Sequence, residues 1–180
     1  MNQPIIVVES DPQWPENFAS VRRELRTSLA GVPVVAIEHV GSTSVPGLAA
    51  KPIIDVDVVV RRPDVSCAVA ALESSGYVLL GDLGVPDRVA FTAPVDSIRR
   101  NVYITIEGCL ALRNHLGLRD VLRSDPQLRD EYSEIKRQLA AGTDDIDVYV
   151  AGKTDVIRRI LDRAGLTDGE LEEIERINRG

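Results

Sequence analysis

The sequence predicts an α/β fold: a small mixed β-sheet with flanking helices, packed mainly on one side, and a helical C-terminal part from about residue 110. Three observations carry that expectation. Between residues 34 and 60, two apolar, β-branched runs flank a turn made of small residues. From Trp14 to Leu29, apolar residues recur at spacings of four and three, the period of a helix. Beyond Gly108 the same period returns and continues towards the end of the chain.

Taken in order, residues 5–8 are either a short strand or an arm laid against the core. Ser10 or Asp11 supplies an N-cap, with Pro12 in the first turn. Trp14, Phe18, Val21, Leu25 and Leu29 then form one helical face, which Gly31 and Pro33 end. Trp14 reads as a core anchor, with base stacking as the alternative. Residues 34–40 and 53–60 are strands expected at the centre of the sheet. Residues 61–64 turn the chain into a second helix, with Val65, Val69 and Leu72 on one side and Gly76 as its stop. Residues 77–80, 89–92 and 101–106 read as further strands, the last expected beside 53–60.

Asp125 and Pro126 open a helix carrying Leu128, Tyr132, Ile135 and Leu139, and another helix spans 153–164 before Gly165. Thr167 to Glu170 has the form of a capping box. The narrow apolar stripe that follows (Leu171, Ile174, Ile177) has two seats open to it, the domain itself or a second copy in a homodimer. No repeat or low-complexity linker interrupts this order, so residues 1–180 are expected to form a single domain.

Composition narrows the function. A chain of 180 residues, 44% hydrophobic and 27% charged, buries a core without staples. Its net charge of −7 and the absence of any Lys/Arg run longer than two argue against duplex nucleic acid or a membrane surface as partner. A free nucleotide stays open, since a metal and a few basic side chains meet its charge. Cys67 and Cys109 show no metal-ligand spacing, so reduced thiols are expected. No cationic leader and no apolar run of membrane length are present, which leaves the cytoplasm by elimination.

The chemistry concentrates in one stretch. The period of two in a strand puts Asp55 and Asp57 on one face and Ile54, Val56 and Val58 on the other. Two carboxylates about 6 Å apart repel by roughly 3 kcal/mol at an effective dielectric near 20. A hard divalent cation, Mg²⁺ or Mn²⁺, relieves that cost. Upstream, Gly41 offers close backbone approach, and Ser42, Thr43 and Ser44 offer hydroxyls beside free N–H groups, a set suited to the phosphates of a nucleoside triphosphate.

Gly41-Ser42, twelve residues, then Asp55-Val56-Asp57-Val58 resembles the signature of the polymerase-β-type nucleotidyltransferase superfamily. The longer string from Glu38 to Asp55, EHVGSTSVPGLAAKPIID, resembles the GrpB family, which is assigned to that fold without a secure biochemical role. The likeness continues through Leu118-Arg119-Asp120-Val121-Leu122-Arg123, through Tyr132, Lys136, Leu139 and Ala140, and through Tyr149 and Lys153, so it is close to full length. It implies Arg119, Arg123, Lys136 and Lys153 as cations near a bound phosphate.

One departure stands out. Where relatives commonly read Asn-Leu-His-Val, this chain reads Asn101-Val102-Tyr103-Ile104. The third ligand position, a carboxylate in active nucleotidyltransferases, therefore falls to Tyr103 or to Glu107 further along the strand, and neither is established. His39, beside the turn, is expected to make a structural hydrogen bond that shapes it; His115 is expected as a helix-face residue.

The function expected from this pattern is metal-dependent transfer of a nucleotidyl group from a nucleoside triphosphate to a small acceptor. Asp55 and Asp57 would hold the metal, Gly41 and Ser42 would cradle phosphates, and Lys51 or Arg119 would add positive charge at the transition state. The alternative is a non-catalytic nucleotide-binding or regulatory module. Because some relatives are joined to dephospho-CoA kinase, that module would be linked to coenzyme A metabolism.

Overall fold

The computed structural model describes residues 5–95 and 97–179. The first apolar stripe folds as helix α1 (Trp14–Ser28), with Trp14, Val21 and Leu25 buried. It starts two residues later than Pro12 suggests. Asp11 accepts from the Gln13 N–H at 2.8 Å in the preceding turn, and the proline inside the first helical turn is Pro15. Ahead of it lies an arm. Val8 and Ala50 exchange two backbone hydrogen bonds of 2.9 Å, and among the described residues no longer strand forms there.

Five strands, β1 (Val34–Val40), β2 (Ile54–Val60), β3 (Val78–Gly81), β4 (Arg88–Thr92) and β5 (Arg100–Ile106), form one mixed sheet in the order β1-β2-β5-β4-β3. β2 and β5 are parallel, with Asp55 opposite Asn101 and Asp57 opposite Tyr103. The other pairings are antiparallel. The strand 101–106 thus lies beside the Asp-bearing strand as expected. The expectation that β1 is central is corrected: β1 is an edge strand and β5 takes the middle. A parallel neighbour needs a long crossover, and helix α2 (Val65–Ser74) with β3 and β4 supplies it, returning the chain against the free side of β2.

Alternation along β2 divides the molecule. Ile54, Val56, Val58 and Val60 join Trp14, Val21 and Leu25 of α1, Ala68 and Leu72 of α2, and Val102 and Ile104 of β5 in the main core. The opposite face carries Asp55, Asp57 and Val59. Helices do not stay on one side, as the sequence suggested: α3 (Leu110–Ser124) covers this second face, packing Ala111 and Leu112 on Val59. Beyond it follow α4 (Pro126–Gly142), α5 (Ile146–Ala151), α6 (Thr154–Arg163) and α7 (Asp168–Arg179). Val45 and Leu48, just after the glycine-serine turn, are fully buried among Leu122, Leu128, Tyr132, Val156 and Ile160, so the turn is clamped between sheet and helices.

The capping box forms. Glu170 accepts from the Thr167 N–H at 2.9 Å while the Thr167 hydroxyl accepts from the Glu170 N–H at 3.4 Å. Leu171 and Ile174 are buried with Leu161 and Leu166, which seats the last stripe on the chain itself. Cys67 and Cys109 are both free thiols. Among the described residues no helix is long and apolar enough to cross a membrane.

The contact between α3 and α6 is close enough to require a glycine. A Cβ on Gly117 would stand 2.9 Å from the Ala164 Cβ, closer than methyl groups pack. Gly117→Ala should therefore cost about 1–3 kcal/mol of stability through overpacking, outweighing the ~1 kcal/mol that alanine gains over glycine inside a helix. Ala164→Gly in the same chain should restore most of the loss. Urea unfolding measures both; a Gly117→Ala protein as stable as wild type would mean that the helices have room to spare.

Candidate functional site

The site begins where β1 stops. Gly41 has φ 68° and ψ −174°, a conformation that only glycine adopts without strain. A Cβ there would lie 2.2 Å from an Asp55 carboxylate oxygen. The backbone of the turn is thus pressed directly onto the first carboxylate of β2, and the next three residues, Ser42–Ser44, wind into one turn of 3₁₀ helix.

Most of the polar groups around this turn are spent on building it. The Thr43 hydroxyl donates to the Ile53 carbonyl at 3.0 Å and meets His39 Nε2 at 3.0 Å. Burial, with Arg123 and Arg119 nearby, lowers the His39 pKa to about 4, so the ring is neutral, and it stacks on Phe18 with centroids 4.6 Å apart. This is the shaping hydrogen bond expected of His39. Ser44 Oγ donates to the Gly41 carbonyl at 2.6 Å. The Arg123 guanidinium donates twice to the Ser44 carbonyl, at 3.0 and 2.7 Å. Arg119 donates to Glu38 at 2.7 Å and to the His39 carbonyl at 3.1 Å, and it pairs with Asp120. Arg119 and Arg123, which the family resemblance implies as phosphate cations, do not line the cavity in front of the turn; they brace the turn and the end of β1 through the Ser44 and His39 carbonyls.

In front of the turn is a cavity of about 270 Å³. Gly41, Ser42 and Thr43 line one side, Asp55 and Asn101 the floor, and Lys51, Lys136 and Lys153 the far wall with Tyr132 and Tyr149. Ser42 is the one hydroxyl of the turn with no hydrogen bond to the protein among the described residues. Lys136 is 2% exposed and its Nζ has no hydrogen-bond partner. Burial, with Lys153 close by, lowers its pKa to about 7. Lys153 is lowered to about 8 by burial and by Lys51. The ammonium groups rest over tyrosine faces: Lys136 over Tyr132 at 4.8 Å, Lys153 over Tyr149 at 4.3 Å, and Lys51 over Tyr149 at 5.5 Å.

The two carboxylates share a face but not an environment. Asp55 lines the cavity and accepts from Asn101 Nδ2 at 2.8 Å; burial raises its pKa despite that bond. Asp57 is fully buried. One of its oxygens pairs with His115 Nδ1 at 2.8 Å and the other, Oδ1, has no partner. Burial alone would lower the His115 pKa, but Asp57 outweighs it and the net shift is upward. His115 lies on a face of α3, as expected, and that face turns it onto Asp57, so the carboxylate pair is not the bare repulsive pair that strand alternation suggested.

Tyr103 stands beside this pair, its ring 5.8 Å from the His115 ring and its pKa raised to about 12 by burial and by Asp55. Glu107 is exposed and turned towards Arg61, so it supplies nothing to the site.

Asp55 and Asp57 are the residues that could hold a divalent ion, Asp55 from the cavity lining and Asp57 from behind it. The orphaned, buried Asp57 Oδ1 and the cavity-facing carboxylate of Asp55 are hard oxygens on one strand face. No group of three or more His, Cys, Asp or Glu side chains is gathered for a metal among the described residues. Two carboxylates completed by substrate phosphates and water suit Mg²⁺, which keeps several non-protein ligands. Sequence reasoning missed Asn101 and His115. Pairing Asp55 with Asn101 in the parallel register would have found the first, and the four-residue step from His115 to Arg119 along one helix face was the only signal for the second.

Residues 4–163 match the family described as GrpB protein. A UPF0157 protein of Halalkalibacterium halodurans is 36% identical over 171 residues, covering 92% of this chain and 85% of its own. UPF0157 protein YqkA of Bacillus subtilis is 34% identical over 160 residues, 88% of this chain but only 46% of that one. A protein named dephospho-CoA kinase in Mycolicibacterium paratuberculosis is 32% identical over 195 residues, 91% of this chain and 48% of its own. Among solved structures, conserved protein GrpB from Enterococcus faecalis aligns with a TM-score of 0.77 at 33% identity, over 94% of this chain and 99% of that one. Cid1 in complex with its short product ApU aligns with a TM-score of 0.52 at 16% identity, over 72% of this chain and 42% of that one. At that identity the likeness is one of fold alone.

The buried lysines make stability pH-dependent in a defined direction. Their folded-state pKa values lie below the unfolded value, so between about 7 and 10.5 the folded chain binds fewer protons and these lysines make stability rise with pH. Lys136→Met should stabilise the ligand-free protein at pH 7 by about 2–4 kcal/mol, taking ~1.4 kcal/mol per pKa unit and discounting for relaxation, and should flatten the rise between pH 7 and 9. Urea unfolding at the two pH values measures it; a destabilised variant with an unchanged slope would mean that Lys136 has a counter-charge in the free protein.

Proposed function

We propose, from the premise that this chain belongs to the GrpB family, that it transfers a nucleotidyl group from a nucleoside triphosphate to a small-molecule acceptor with Mg²⁺ or Mn²⁺ as cofactor. The observation that carries this reading is Lys136: an ammonium buried without a partner, in the same cavity as Ser42, Lys153 and Asp55. Three lysines ask for a polyanion and two carboxylates ask for a cation. A metal–triphosphate answers both demands at once.

In this reading Lys51, Lys136 and Lys153 hold phosphate oxygens and stabilise the charge that develops as the bond to the leaving group lengthens. Ser42 donates its free hydroxyl to a phosphate, and Gly41 lets the backbone come close. Asp55 and Asp57 hold the metal, with Asn101 fixing the Asp55 rotamer and His115 fixing that of Asp57. A bound divalent ion orients the phosphates and neutralises charge on them. Tyr132 and Tyr149 wall the cleft and keep water from the ammonium groups. A nucleoside triphosphate and its small acceptor place the activity in the cytoplasm.

A second reading has its own support. Asn101 and Tyr103 occupy the β5 positions opposite Asp55 and Asp57, so β5 brings no third carboxylate to the pair, and Glu38, opposite Asp57 on β1, is engaged by Arg119. A phenol held at about 12 is no proton acceptor at neutral pH. A module that binds a nucleotide without turning it over, in the service of coenzyme A metabolism, needs neither. The relative named dephospho-CoA kinase lends that link its support.

Thermal unfolding across the four nucleoside triphosphates, each with and without Mg²⁺ or Mn²⁺, tests the binding shared by both readings. A ligand at 100 times its Kd adds about 2.7 kcal/mol, and that gain should need metal and vanish in Asp55→Asn. Ser42→Ala should weaken binding by about 1–3 kcal/mol with little change in folding. No stabilisation by any nucleotide would overturn the proposal. Pyrophosphate release in the presence of candidate acceptors then separates enzyme from binding module.

A further inference from the structure

A second cavity, of about 190 Å³, lies on the other side of the Asp57–His115 pair, between α3, α7 and the segment leading into β4. His115 forms part of its wall, so the imidazole that binds Asp57 also faces this space. Leu110, Ile174 and Ile177 make one side apolar. The other side holds Arg88, whose guanidinium lies 4.6 Å from the centre of the Tyr103 ring.

Arg88 is the unusual member. Its Nε is buried and makes no hydrogen bond, and no ion pair to it exists among the described residues. The acids nearby are already matched: Asp87 pairs with Arg62 at 2.9 Å and Glu173 with Arg176 at 2.6 Å. The cavity therefore offers a guanidinium that stacks on Tyr103 but has no ion pair among the described residues, the Asn114 side chain and an apolar wall. A planar guanidinium without an ion pair is best satisfied by the two oxygens of a carboxylate. A phosphate dianion suits the space less well, because Asp87 and Glu173 stand beside the single cation. The volume is below the ~300–1,000 Å³ of pockets that take drug-sized ligands, so the occupant is small.

We infer that this cavity is a binding site for a small monocarboxylate with a branched aliphatic body, its carboxylate on the Arg88 guanidinium and Asn114 and its apolar end against Leu110, Ile174 and Ile177. The site is separate from the lysine-lined cleft and stands whether or not that cleft takes a nucleotide.

The test uses the full chain without nucleotide or metal, with 4-methylpentanoate as the probe and 4-methylpentanamide as its uncharged counterpart. Two-dimensional ¹H–¹⁵N NMR is followed through both titrations. Saturable shifts centred on Arg88, Asn114 and Ile174 are expected with the carboxylate, and at least tenfold weaker binding of the amide. Arg88→Gln should weaken the carboxylate about tenfold or more, the loss expected of a charge-assisted pair. Ile177→Trp, which fills the cavity from its partly exposed rim, should abolish binding while leaving the spectrum of the sheet in place. Arg88→Lys should restore only part of the affinity, since the point charge lacks the fork.

Equal binding of acid and amide, shifts confined to Lys51, Lys136 and Lys153, or undiminished binding in the Ile177→Trp protein would each overturn the proposal. Nucleotide binding by Arg88→Gln, measured separately, should match wild type, so failure here is distinguishable from failure of the nucleotide reading.

Discussion

The functional half of this protein depends on β2 having two faces that want opposite surroundings. One face is four β-branched residues sealed against α1, α2 and β5; the other carries two carboxylates. The strand cannot slip by one residue, because that would drive both carboxylates into the apolar core and cost several kcal/mol for each buried, unpaired charge. The register with β5 is fixed by the same demand, and with it the placing of Asn101 opposite Asp55 and Tyr103 opposite Asp57. Gly41 then has no freedom either: its backbone lies so near Asp55 that any side chain would collide. One alternating pattern thus sets the floor of the cleft, its rim and the residues that steady the carboxylates.

Charge is handled differently on the two sides of that floor. Asp57 receives an imidazole from α3 and is electrostatically settled except for one oxygen. Across the cavity Lys136 has no hydrogen-bond partner among the described residues; Asp55 offsets only part of its burial, and its neighbours Lys153 and Lys51 are cations too. Such a cluster opposes folding in the free protein, and packing alone gives no reason to keep it. Strain of this kind concentrates at sites that bind or react. The cation–π contacts with Tyr132 and Tyr149 offset part of the cost without neutralising any charge.

How much of this could be read from the chain divides along a physical line. Local patterns were legible: the α1 stripe, the alternation in β2, the glycine-serine turn and the capping box at Thr167 all depend on residues near one another in sequence. Long-range placement was not. Strand alternation put Asp55 and Asp57 together but could not show that α3 returns His115 to Asp57, 58 residues later. Arg119 and Arg123 looked like phosphate ligands because they are basic and lie in a family motif; nothing local revealed that carbonyls of the turn and Glu38 would claim them. The edge position of β1 is hidden from the sequence for a related reason. An apolar, β-branched strand reads alike at an edge and in the middle, and only the crossover through α2 decides which it is. Lys136 and Lys153 came from the resemblance to the GrpB family, and their burial beside tyrosines is visible only in three dimensions.

In the proposed function a metal-bound polyphosphate supplies the anionic partner that the Lys136 ammonium lacks among the described residues. The most direct measurement is the pKa of Lys136 by NMR on protein carrying ¹³C-labelled lysine, with and without saturating inorganic tripolyphosphate and Mg²⁺. Free protein should show Lys136 near 7. Bound tripolyphosphate should raise it towards the ordinary lysine range, with Lys153 moving the same way. A Lys136 that titrates normally in the free protein, or one that stays near 7 while tripolyphosphate is bound, would contradict the account.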